Sequence, residues 1–240
     1  MFKTIAFLAF FFSTHCLAAS ALDRIIPPEI KNDAFYSVIY RLAQTESIAT
    51  ILEIGSSSGE GSTEAFIEGM KGNPHRPTLF CMELSKPRFK ALQERYAANP
   101  SVVCYNVSSV PLQAFPKEEE VLGFMNTVDT TLRDFGPSEV IRWLRQDIDY
   151  VKNADVPQNG IELIKSEQNI AYFDMVLIDG SEFTGQAELE QVYGAKFILL
   201  DDIRAFKNYH NYMKLSQDPS YKLIEKQTRL RNGYAVFKRI

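Results

Sequence analysis

ILEIGSSSGEGST, residues 51–63, is an apolar run that ends in an acid and a glycine and passes into a serine-rich turn with two more glycines. The pattern predicts a strand turning sharply into a helix. At such a junction the first helical amides lack intrahelical partners, and Gly55, Gly59 and Gly61 let a ligand approach the main chain. The turn is therefore the leading candidate for a cofactor site. A phosphate-cradling P-loop needs a lysine and a hydroxyl residue directly after its last glycine, but Ser62 and Thr63 follow Gly61. A dinucleotide fingerprint begun at Gly59 and Gly61 places Glu64 at its third small position, a carboxylate where a pyrophosphate would sit.

The spacing that does fit is acid-x-Gly-x-x-x-Gly-x-Gly, formed by Glu53, Gly55, Gly59 and Gly61. It resembles the first motif of the class I S-adenosylmethionine-dependent methyltransferases. That resemblance implies an α/β, Rossmann-like sheet of seven mostly parallel strands with helices on both faces and a C-terminal antiparallel hairpin. It also implies S-adenosylmethionine as cofactor, held by Glu53, Gly55, Ser57, Gly59, Gly61 and Glu83. Glu83 ends a second apolar run, Thr78 to Leu84, where the family's acid holds the two ribose hydroxyls; a carboxylate can accept from both at once. A further run at Ser101–Val107 reads as a third strand, and Phe173–Asp179 and Ala195–Asp201 read as strands covered on both faces. Tyr221–Thr228 and Gly233–Lys238 flank an Arg-Asn-Gly turn and read as the hairpin. Val107-Ser108-Ser109 departs from the family's frequent acid after the third strand, leaving backbone and serine hydroxyls for the adenine.

In open α/β sheets, ligands sit outside the carboxyl ends of the strands. Asp179 ends the fourth predicted strand, and Asp201 and Asp202 end the fifth. In some related methyltransferases, including the catechol type and the cephalosporin-hydroxylase-like group, acids at these ends hold magnesium. The resemblance thus implies Asp179, Asp201 and Asp202 as metal ligands and admits Mg2+ as a second cofactor, which would lower the pKa of a bound hydroxyl. Asp179, Asp202 and Glu182, in the loop Gly180 to Gln186, are the candidate catalytic groups. The alternative is that Asp179 opens an Asp-Gly turn and that Asp201 or Asp202 caps a helix starting near Ile203. His210, in a tyrosine-rich helical stretch, reads as a surface histidine before a general base.

Between the third and fourth strands, residues 110–172 exceed the dozen or so that a minimal crossover helix needs. This helical insertion or cap is the natural seat of substrate choice. It opens with Glu118, Glu119 and Glu120, then shows a helix signal at Pro137-Ser138 with Ile141, Leu144, Ile148 and Val151 on one stripe. Trp143 lies beside that stripe, as core or as a wall of an acceptor pocket.

The chain has 240 residues, 45% of them hydrophobic, and a formal charge of −4. It can bury one good core, and residues 21–240 read as a single methyltransferase-like domain. With no basic tract, nucleic acid is a poor partner. Residues 1–20 carry only Lys3 as a charge, then an uncharged Ile5–Phe12 run and small residues suited to a signal peptidase. They read as a secretory signal, too short for the roughly 20 residues of a membrane span, with a misassigned start or a short lead-in as the alternative. Export would make the protein periplasmic or secreted; without it the location is cytoplasmic. Cys81 and Cys104 read as small core hydrophobes on adjacent strands.

The expected activity is methyl transfer to an oxygen or nitrogen of a small molecule or glycan. The alternative is an exported, catalytically silent domain that uses the same crevice to bind a metabolite or a partner protein, which a crevice plugged by Phe183 or by the insertion would favour. A hydrolase or lyase lacks support, because no nucleophile–histidine–acid set stands out. The sequence leaves the oligomeric state open.

Overall fold

A computed structural model describes residues 21–240; the segment read as an export signal, 1–20, lies outside the described residues. Asp33 starts the first helix, α1 (Ala34–Thr45), by accepting from the Tyr36 amide at 2.8 Å. β1 (Thr50–Ile54) then leads through the glycine turn into α2 (Ser62–Met70). β2 (Thr78–Glu83), α3 (Lys86–Tyr96) and β3 (Val102–Asn106) complete the first half. The long connection holds α4 (Glu118–Thr127), a 3-10 helix (Thr131–Phe135), α5 (Pro137–Asn153) and α6 (Gly160–Gln168). The chain closes with β4 (Met175–Ile178), α7 (Gly185–Val192), β5 (Phe197–Asp201), α8 (Phe206–Gln217), β6 (Tyr221–Gln227) and β7 (Tyr234–Arg239).

The seven strands form one sheet in the order β3-β2-β1-β4-β5-β7-β6. The first five are parallel, β7 runs antiparallel to β5, and β6 pairs antiparallel with β7. This is the α/β Rossmann-like sheet that the strand pattern implied, with its terminal hairpin. Period-two alternation divides the apolar runs between two cores. Ile51, Leu79, Leu177 and Leu199 pack under α1 and α2 with Phe35, Leu42 and Phe66. Leu52, Ile54, Val176, Ile178 and Leu200 pack on the other face with Ile161, Ile164, Leu189 and Leu215. β3 is an edge strand, and every residue in it is half-buried.

The excess chain between β3 and β4 resolves into two parts. α6 is the crossover helix, since its Ile161 and Ile164 pack on the sheet. α4, the 3-10 helix and α5 form a satellite core of their own around Val121, Phe124, Leu132, Val140 and Leu144. The predicted α5 stripe is present, with Ile141, Leu144 and Val151 buried and Ile148 packed against the cluster. Among the described residues, no helix is long and apolar enough to cross a membrane.

Candidate active site

The strand order reverses between β1 and β4, and there the two chains leave the sheet on opposite sides. Gly55 sits at this switch with φ +91°, and a Cβ there would lie 2.1 Å from the Asp179 carbonyl oxygen. Only glycine fits the backbone conformation and the gap. The turn spends several of its amides on the protein itself. Gly55 N and Ser56 N donate to the Met82 carbonyl at 3.1 and 3.0 Å, and Ser57 N donates to Glu83 Oε2 at 2.8 Å. Gly59 meets protein rather than open space, since a Cβ there would strike Leu92 and Tyr96, whose hydroxyl donates to the Gly59 carbonyl at 2.5 Å. Gly61 faces Pro28 and the Ile30 carbonyl.

Glu53 and Glu83 have different tasks. Glu53 is fully buried beneath the turn and accepts from Ser56 Oγ at 2.7 Å and Thr63 Oγ1 at 2.6 Å, tying strand, turn and helix together. Burial pushes its carboxyl above the ordinary value. Glu83 borders the cavity. Its Oε1 accepts from Ser85 N at 2.7 Å and its Oε2 from Ser57 N, so backbone amides fix the carboxylate while leaving lone pairs on each oxygen. Asn106 Nδ2 donates to the carbonyls of Glu83 and Leu84 at 2.8 and 2.9 Å, pinning the strand end.

A cavity of about 340 Å³ joins this donor end to the ends of β4 and β5. Ser57, Gly61 and Glu83 border it on the donor side, Gly55 and Asp179 meet at the switch point, and Ser181, Asp202 and Lys207 line it beyond. Residues 22–30 form an outer wall through Leu22, Ile26, Pro27 and Pro28, and the insertion contributes Phe115, Asp147, Tyr150 and Val151. Asp23 clips this wall in place by accepting from Ser85 Oγ at 3.0 Å and from the Tyr150 hydroxyl. Ser108 and Ser109 also border the cavity, but their hydroxyls donate to the Val110 carbonyl (2.8 Å) and to the buried Glu188 (2.6 Å).

Candidate carboxylate oxygens of Asp179, Asp201 and Asp202 lie within 4.8 Å of one another, close enough for one ion to touch all three. The donor set is nonetheless already engaged. Lys207 Nζ stands 2.8 Å from Asp179 Oδ1 and 2.7 Å from Asp202 Oδ2, and Arg231 holds Asp201 at 3.1 Å. Two unit charges 4 Å apart interact by about 4 kcal/mol at an effective dielectric of about 20, and a divalent ion doubles that repulsion. An ion entering the cluster would therefore have to displace the ammonium or share the carboxylates with it.

Burial works against the charge on Lys207, but Asp179, Asp202, Glu182 and Asp201 together raise its pKa well above the ordinary lysine value. The same lysine outweighs burial at Asp202 and holds that carboxyl below its usual range. Burial pushes Asp201 up to about 6.

Other candidates sit apart from the cavity. Glu182 is not among its lining; its Oε1 accepts from the Lys207 amide at 3.2 Å, and burial pushes its carboxyl up to about 7. The capping alternative for Asp201 and Asp202 is not what the chain does: α8 begins at Phe206 after Ala205, with no side-chain cap. Trp143 stacks edge-on with Phe135 and donates to Glu139 at 2.9 Å, off the cavity. His210 is exposed on α8 and packs against Phe124 and Tyr209. Phe183 is buried in the satellite core against Phe206, so it does not plug the cavity.

Two cavity residues escaped the sequence reading. Asp147, on α5, accepts from Ser181 Oγ at 2.5 Å, and burial pushes its carboxyl up to about 6. Its position one residue before the Ile148 of the apolar stripe was the available signal. Lys207 lies in an amphipathic helix among aromatic residues, where a lysine reads as solvated.

No protein-family profile matches the chain, and no curated protein matches it in sequence. Solved structures do resemble it in three dimensions. An O-methyltransferase from Bacillus cereus in complex with SAH aligns with a TM-score of 0.53 at 11% identity, over 89% of this chain and 84% of that one. A Staphylococcus aureus protein provisionally assigned as a caffeoyl-CoA O-methyltransferase aligns with a TM-score of 0.52 at 12% identity, covering 88% and 85%. A methyltransferase from Geobacter sulfurreducens gives 0.50 at 12% identity, covering 88% and 81%. At such identities the likeness establishes the fold: this chain has the Rossmann-like sheet of these methyltransferases.

Proposed function

We propose that the cavity binds S-adenosylmethionine and serves methyl transfer to an oxygen or nitrogen of a small molecule or glycan. The observation that carries this reading is the single cavity that has Glu83 at one end and the β4 and β5 strand ends at the other. A carboxylate held by two backbone amides is set to receive a ribose diol, and the similarity to the Bacillus cereus protein in complex with SAH supports that ligand. The open cavity, with Phe183 packed elsewhere, favours the enzyme over a silent binding domain.

When bound, the sulfonium supplies the methyl group. The chain's residues do the rest: Glu83 and the Gly55–Ser57 turn orient the donor, the 22–30 wall excludes water, and Asp147 receives the proton that the acceptor loses as its new bond to carbon forms. A base whose pKa lies near 6 is largely ionised at neutral pH and suited to that step. In this proposal residues 1–20 serve as an export signal and residues 21–240 act as one methyltransferase-like unit.

Calorimetric titration of residues 21–240 with S-adenosylhomocysteine tests it. Binding in the micromolar range is expected, weakened at least tenfold, about 1.4 kcal/mol, in Glu83→Ala. A folded protein that binds no S-adenosylhomocysteine would sink the reading.

A further inference from the structure

We propose that the Lys207 ammonium is the resident cation of the Asp179–Asp201–Asp202 cluster, standing in place of a divalent metal and fixing the acceptor end of the cavity. Only its use towards an acceptor rests on the methyl-transfer reading; its place in the cluster does not.

The first support is position. A magnesium ion binds oxygen at about 2.0–2.1 Å in a strict octahedral arrangement. Lys207 Nζ already bridges Asp179 and Asp202 at 2.8 and 2.7 Å, in the space between the same two oxygens. The second is charge. Three carboxylates meet two fixed cations, Lys207 and Arg231, and Arg231 also pairs with Asp33.

The third support is anchoring. Lys207 is the second residue of α8, and its amide is held by Glu182. The next residue, Asn208, donates its Nδ2 to the carbonyls of Ile178 and Asp201 at 2.9 and 2.6 Å, the positions just before and within the acids. On the other side the start of α7 presses on the Lys207 carbonyl, since a Cβ at Gly185 would lie 1.9 Å from it. These contacts fix the backbone from which the lysine side chain reaches the acids. Its ammonium has three donors and gives two to Asp179 and Asp202; it borders the cavity, so the third is available to an acceptor oxygen.

The test uses Mn2+ as probe, followed by electron paramagnetic resonance on residues 21–240 without any cofactor. The wild-type protein is expected to bind no Mn2+ at this cluster, and folded Lys207→Met to gain a site at least tenfold tighter as the carboxylates are released. Binding by the wild-type protein that Asp179→Asn abolishes would overturn the proposal, as would a folded Lys207→Met that stays silent. If Lys207→Met fails to fold, the wild-type ammonium is read directly. A slowly exchanging 15N lysine resonance unchanged by Mn2+ is the expected result, and its paramagnetic broadening would overturn the assignment. These outcomes are separate from S-adenosylhomocysteine binding, so either proposal can fail alone.

Discussion

At the scale of single residues, Asp147 makes the sharpest demand. Its carboxyl pKa is raised to about 6 by burial, against the opposing hydrogen bond from Ser181. A raised folded-state pKa means that the neutral form is favoured in the fold, so stability is fully present below the unfolded value near 4 and is lost as pH rises through about 6. Asp147→Asn removes that loss. The variant should therefore be more stable than the wild type at pH 7–8, by at most about 3 kcal/mol, with the advantage vanishing towards pH 4. Urea melts across that range check it, and in the proposed enzyme the stabilised variant should also be the inactive one. Asp147 shows why the sequence was only partly legible. A helical stripe draws the eye to Leu144 and Val151, while an acid between them looks solvated until α5 is seen to reach Ser181 in the loop after β4. Glu53 illustrates the converse: its motif was plain, but its task, holding Ser56 and Thr63 beneath the turn, follows only from the direction of its strand.

At the scale of elements, strands were easier to read than the ends of helices. Apolar runs such as Phe173–Asp179 and Ala195–Asp201 declare themselves through continuous burial, and β4 and β5 fall inside them. The start of α8 was expected near Ile203 but is Phe206, because Asp202 takes a left-handed turn at φ +56° and spends its carboxylate on Lys207. The insertion's limits were visible, yet its division into a crossover helix and a satellite core depends on which face of each helix finds a partner. That satellite core is joined to the sheet through Phe183 and Phe206. Phe183→Ala should cost about 3 kcal/mol. Hydrogen exchange is expected to rise in α4 and α5 while β1, β4 and β5 keep their protection; uniform loss across the sheet would contradict a separate cooperative unit.

At the scale of the whole molecule, the order of the chain and the order of the sheet diverge most at the beginning. Residues 22–30 belong to no strand, yet they close the cavity over Gly61 and are clipped by Asp23 to Ser85 and Tyr150. The segment also exposes Ile25, 56% accessible, and Arg24. If this wall holds the ligand in, residence time should depend on fraying of one short peptide, and changes in that peptide should alter release. Trypsin reports the same event, since cleavage after Arg24 follows the population of the lifted state when opening is fast. S-adenosylhomocysteine is expected to slow that cleavage several-fold without altering cuts in the β6–β7 loop. Pro27 and Pro28 make the lifted peptide a stiff arm. The dwell of a product would then be set by the stiffness of this short arm as much as by the strand ends beneath it.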